Sequence, residues 1–166
     1  MNRSSIARSD SSGRAMLALM SLGEPGWPPL RTAITNRADA NRLIPVLNLR
    51  LLIRRLGTNA SIVIPGLIEC TADGQDMVAI ESVKMLGDLS SDPANVVPAL
   101  TNCLNRTNIF LRHAAVQAIG RFGPQARDAV PTLINLLSDT NVISREARKA
   151  LLAIEPDVLG TNRVLK

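Results

Sequence analysis

Four fragments of this chain share one spacing, and that repetition limits its fold more than any other feature. "WPPLRTAIT", "IPGLIECTA", "VPALTNCLN" and "VPTLINLLS" align on Pro28, Pro65, Pro98 and Pro131, at intervals of 37, 33 and 33 residues. Upstream of each proline stands an apolar–glycine pair: Leu22-Gly23, Leu56-Gly57, Leu86-Gly87 and Ile119-Gly120. Glycine after a periodic apolar run signals a helix stop. Proline fits the first turn of the next helix, where its missing N–H leaves nothing unpaired. Each unit therefore reads as helix A, a glycine turn and helix B, and no such pair can bury its own apolar stripe without stacking on its neighbours.

Helical spacing sorts the faces at about 100° per residue. In helix B the buried stripe holds Ile64, Val97 and Val130, then Leu30, Leu67, Leu100 and Leu133, with Cys70 and Cys103 alongside. Opposite it, Thr32, Glu69, Asn102 and Asn135 form one polar row, flanked by Asn105 and Ser138. In helix A, Val83, Leu86, Val116 and Ile119 fall inward, and the small Ser82 and Ala115 admit a close neighbour. Glu81, Lys84 and Gln117 fall outward. The segment "NVISREARKALLAI", residues 141–154, reads as a fifth helix A. The expected organisation is an N-terminal segment 1–12, units near 13–37, 40–73, 75–106, 107–139 and 140–154, and a fraying tail 155–166.

Composition agrees with packed helices. Hydrophobic residues are 46% of the chain but aromatics only 2%, so the core is aliphatic, and a stacking platform for single-stranded nucleic acid is missing. The net charge of +5 is not spread as a phosphate track: it runs +6 over residues 1–57, −5 over 58–105 and +4 over 106–166. Nucleic acid is thus expected to bind weakly and without specificity, if at all. No apolar run approaches the roughly 20 residues a bilayer span needs. "RAMLALMSLG" has the look of a signal-peptide core, but Asp10 interrupts the basic region before it and no small-x-small cleavage site follows, which favours a cytoplasmic chain.

With the spacing established, "LRHAAVQAIGRFGPQARDAVPTLINLLSD", residues 111–139, closely resembles a HEAT repeat of the bacterial phycobilisome-lyase-like type, and "VISREARKALLAI" resembles the start of another. The resemblance is strong over residues 75–154 and looser before them. The basic residue of that type early in helix A is Arg112 in the fourth unit, replaced by Leu49 and Ala79 in the two units before. The resemblance implies an all-α fold, a right-handed α-solenoid of four to five helix-turn-helix repeats with the B helices on the concave side. It implies a protein that holds a partner, and specifies fold rather than chemistry. Relatives of this repeat include lyase subunits that attach bilin chromophores, and some helical-repeat proteins embrace DNA. An accessory lyase-type subunit and a weak nucleic-acid binder are therefore the alternatives.

No cofactor, metal or nucleophile motif appears in the sequence. The two cysteines hold equivalent core positions on helices about 8–10 Å apart, too far for a disulfide, so both are expected as buried free thiols. His113, the only histidine, falls on the outward arc as a solvated side chain, and Asp73 and Asp76 read as solvated caps in a turn. The candidate partner-binding residues are Thr32, Glu69, Asn102, Asn105, Asn135 and Ser138, a hydrogen-bonding row suited to a protein or peptide segment. Met16, Leu17 and Met20 form an apolar outer face on the first helix A. Three readings stand for it: residues 1–12 cover it, further repeats precede it, or a partner contacts it. If a partner does, Met16→Lys with Met20→Lys lowers partner recovery at unchanged thermal stability. Unchanged recovery removes that reading.

Overall fold

The computed structural model describes residues 27–39, 43–56, 61–139 and 142–160. All regular structure among them is helical, with no strand. In chain order the helices are α1 Trp27–Thr35, α2 Leu43–Leu56, α3 Ile64–Thr71, α4 Asp76–Leu89, α5 Pro93–Cys103, α6 Ile109–Arg121, α7 Val130–Asn135 and α8 Val142–Ile154. Tighter 3-10 turns, Gly123–Ala129 and Leu136–Ser138, extend α7 at both ends. Helices α2, α4, α6 and α8 are of the A kind, and α1, α3, α5 and α7 of the B kind. The expected first helix A, with Met16, Leu17 and Met20, lies outside the described residues.

One continuous aliphatic core runs through the stack. Leu30, Leu67, Leu100 and Leu133 are buried at the same position of successive B helices, and Val83, Leu86, Val116 and Ile119 line the A helices. Burying each such side chain contributes about 1.5–3 kcal/mol, an upper estimate because the unfolded chain already hides some of it. The closest backbone packing joins α4 to α6 and α6 to α8, with each B helix lying against the A helix that follows it.

Glycine plays a different part from the one the sequence suggested. Gly87 and Gly120 do not stop helices; they lie inside α4 and α6. A Cβ on Gly87 would stand 2.7 Å from Cβ and 2.8 Å from Cα of Ala118. One on Gly120 would stand 3.2 Å from the same two atoms of Ala150. These glycines let α4 press its backbone on α6, and α6 on α8. Helix α4 ends three residues later, where Ser90 adopts a left-handed φ of 44° and its N–H bonds to the Leu86 carbonyl at 3.1 Å. After α6 the reversal is at Gly123, with φ of 53°.

Four further expectations are corrected. Pro98 does not begin its helix: α5 starts at Pro93, and Pro98 sits inside on the exposed side, where the Ala94 carbonyl it leaves unbonded is also on an exposed residue. Glu81 is not outward: its side chain is only 7% exposed, held by Arg50 of α2 at 3.0 Å and by Lys84 at 2.8 Å. Asp73 is no solvated cap, being 1% exposed while its Oδ1 accepts from the Gln75 N–H at 2.7 Å. The chain past α8 does not all fray, because Val158 packs into the core at 4% exposure. Charge alone misleads at the first of the two acids, since a carboxylate with cations on two sides tolerates burial.

Gly87→Ala should therefore cost about 1–3 kcal/mol from overpacking, against an ordinary helix gain of about 1 kcal/mol. Gly74, which has nothing within 4 Å of its Cβ position, is the control. Gly74→Ala should stay within about 0.5 kcal/mol of wild type in urea denaturation.

Candidate functional site

The polar row falls where helical spacing puts it. Thr32 of α1, Glu69 of α3, Asn102 of α5 and Asn135 of α7 are all exposed, and so are Asn105 and Ser138 just beyond the helix ends. Their opposite neighbours in the same helices are the buried leucines, so the row is fixed by the core beneath it.

Hydrogen bonding divides the six. Thr32 Oγ1 donates back to the Pro28 carbonyl at 3.0 Å, and Ser138 Oγ to the Asn135 carbonyl at 2.8 Å. Glu69 is ion-paired with Arg31 of α1. The side-chain amides of Asn102, Asn105 and Asn135 have no partner among the described residues. Each offers two donors and an acceptor to whatever approaches. Beside Glu69, the C-terminal ends of α1 and α3 enclose a hollow of ≈ 300 Å³ lined by Thr35, Arg37, Glu69, Cys70, Ala72 and Asp73.

The A-helix side is chemically different. Arg50 of α2 reaches Glu81 and, at 3.9 Å, Asp88 of α4, while Arg121 of α6 pairs with the same Asp88. Lys149 pairs with Glu146 in α8 at 2.9 Å. That hydrogen bond holds the Glu146 carboxyl below its ordinary pKa against partial burial, with Gln117 and His113 of α6 acting in the same direction. His113 is half-buried and in the field of this carboxylate rather than fully solvated. Arg112, beside it, lies 3.8 Å from Asp139, which follows the last turn after α7.

Cys70 and Cys103 are both buried thiols that form no disulfide with each other. Each thiol donates to the carbonyl one residue past its equivalent in the preceding B helix, Cys70 to Ile34 at 3.3 Å and Cys103 to Thr71 at 3.9 Å. Burial raises the Cys103 pKa, partly offset by Thr71 and by the Arg106 charge. Among the described residues no cluster of His, Cys, Asp and Glu is arranged to hold a metal, and no helix is long and apolar enough to cross a membrane.

The family model for HEAT repeats matches residues 64–155, more than half of the chain, and the chain belongs to that family. No curated protein matches it.

The buried, raised thiol gives a direct expectation. Native protein should leave both cysteines unmodified by a disulfide reagent at mildly alkaline pH, since the thiolate is the reactive form. Full modification should appear only on unfolding, and rapid labelling of the native state would contradict the packing.

Proposed function

We propose that the protein is a non-catalytic scaffold or adaptor that holds an extended segment of a partner protein across its B helices. The supporting observation is the set of unpartnered amides on Asn102, Asn105 and Asn135, on exposed positions that packing does not dictate. A primary amide matches a peptide backbone in both donor and acceptor, so it can hold a chain without reading its sequence. Adjacent helices lie about 8–10 Å apart, and an extended chain advances about 3.4 Å per residue, giving about three partner residues per rung. Beyond the rungs, the hollow beside Glu69 could take one partner side chain.

In this proposal the stack is a right-handed superhelix of four to five repeats with the B helices concave, of the phycobilisome-lyase-like HEAT subtype. The row has no net charge once Arg31 offsets Glu69, which favours peptide over phosphate as its ligand.

Asn102→Arg with Asn135→Arg places two long cations on the rungs without touching the core. Partner recovery by this variant from host extract should fall at least about tenfold, as for loss of central contacts, with the circular dichroism melt unchanged. Recovery of every partner in equal amount by both proteins would count against the B-helix face.

A further inference from the structure

The contacts between successive A helices carry basic–acidic pairs at one position, and the basic residue at that position of α8 has no ion pair among the described residues. Gly87 and Gly120 mark the side of α4 and of α6 turned toward the next A helix, because Ala118 and Ala150 fill the space beside them. Four and seven residues before each glycine, on the same stripe, stand Val83 and Ile80 in α4, and Val116 and His113 in α6. A shift of 32 residues carries the buried Leu111 and Ala115 of α6, and Phe122 just after it, onto the buried Ile143, Ala147 and Ile154 of α8. The same shift turns Gly120, Val116 and His113 into Leu152, Arg148 and Arg145.

The first two of these do not resemble their counterparts. Val83 and Val116 are fully buried, whereas Arg148 is exposed and Leu152 is 45% exposed. At the third position a basic side chain goes with a carboxylate of the following helix, while α4 has the apolar Ile80 there and α6 has Ala114 where α4 has Glu81 and α8 has Glu146. Arg50 of α2, equivalent to Ile80 when Leu56-Gly57 is set on Leu86-Gly87, donates to Glu81 of α4 at 3.0 Å. His113 of α6 lies in the field of Glu146 of α8. Glu81 and Glu146 are equivalent in turn, each with a lysine three residues on, at 2.8 and 2.9 Å. Arg145 is the α8 member of the series Arg50, Ile80, His113, Arg145, and is basic like the first and third. It and Arg148 are exposed and make no ion pair among the described residues.

We propose that this side of α8 docks an acidic amphipathic helix of a partner protein, laid on α8 as α8 lies on α6. A carboxylate of that helix pairs with Arg145, a second with Arg148, and a small or apolar side chain covers Leu152. Within the chain, the carboxylate in the field of the preceding basic side chain and the residue meeting the preceding glycine are Glu146 and Ala150, four apart. The partner signature is therefore a glutamate followed four residues later by a small or apolar residue. Cross-helix ion pairs already join α2 to α4 and α4 to α6, so the docked helix extends a charge pattern the fold uses internally. This surface is separate from the B-helix row and does not depend on it.

The chain's own α4 sequence, residues 76–89, is an acidic helix of this type and serves as the probe. Synthesised with a lactam bridge on the side away from Glu81, it is preformed as a helix, and its fluorescence anisotropy is followed on adding the full-length protein. Saturable binding is expected, weakened by about tenfold or more in Arg145→Glu with Arg148→Glu. A peptide bearing Glu81→Arg and Asp88→Arg should bind that variant and not the wild type. Both arginines are exposed, so the variant should keep the wild-type circular dichroism spectrum. No saturation below about 1 mM, indifference to the charge reversal, or loss without recovery in the swapped pair would each overturn the proposal. The side of α8 would then be only a solvated face.

Discussion

The approach of Gly87 to Ala118 and of Gly120 to Ala150 sets the geometry on which the rest of this structure rests. Two helices whose backbones nearly touch cannot slide or rotate without collision, so the contact fixes the register of each A helix on the next. That register aligns Asp88 of α4 with Arg121 of α6 across the helix boundary. It also spaces the B helices, and hence the polar row they carry. The side chains that stabilise most, the repeated leucines, are not the ones that position most: a leucine fills space within a tolerance of its rotamers, while an absent Cβ admits one neighbour at one distance.

Much of this was legible in the sequence because helical periodicity is geometric. Leu30, Leu67, Leu100 and Leu133 recur at one offset from the anchor prolines, and any helix through those prolines must bury them together. Thr32, Glu69, Asn102 and Asn135 then had to lie opposite. Glycine was legible only in part: Gly87 after an apolar run reads as a stop, and nothing in its own neighbourhood says that room is needed instead. The alanines that explain it, Ala118 and Ala150, are about one repeat downstream. Pairing these small residues across the repeat was the available signal.

Charge was harder to read for a related reason. Glu81 looks solvated on its own helix, and the cation that permits its burial is Arg50, in a different repeat. Asp73 is buried while its carboxylate accepts from the Gln75 N–H in the turn into α4, and nothing in its own helix-free neighbourhood signals that burial. Within the polar row, exposure followed from spacing, but the division into occupied and free groups did not. The bond from Thr32 to the Pro28 carbonyl is a local choice of rotamer that composition does not reveal.

The two sides of the stack are fastened unequally. Along the A helices, backbone contact and ion pairs bind one layer to the next, whereas the B-helix layers meet through side chains: apolar ones, the thiols of Cys70 and Cys103, Arg106 on the Asp73 carbonyl and one exposed ion pair. A beam clamped along one edge bends about that edge. Flexing of this stack is then a small rotation at the glycine seam and a larger change of spacing at Asn102 and Asn135, so the rungs form a ruler with elastic divisions.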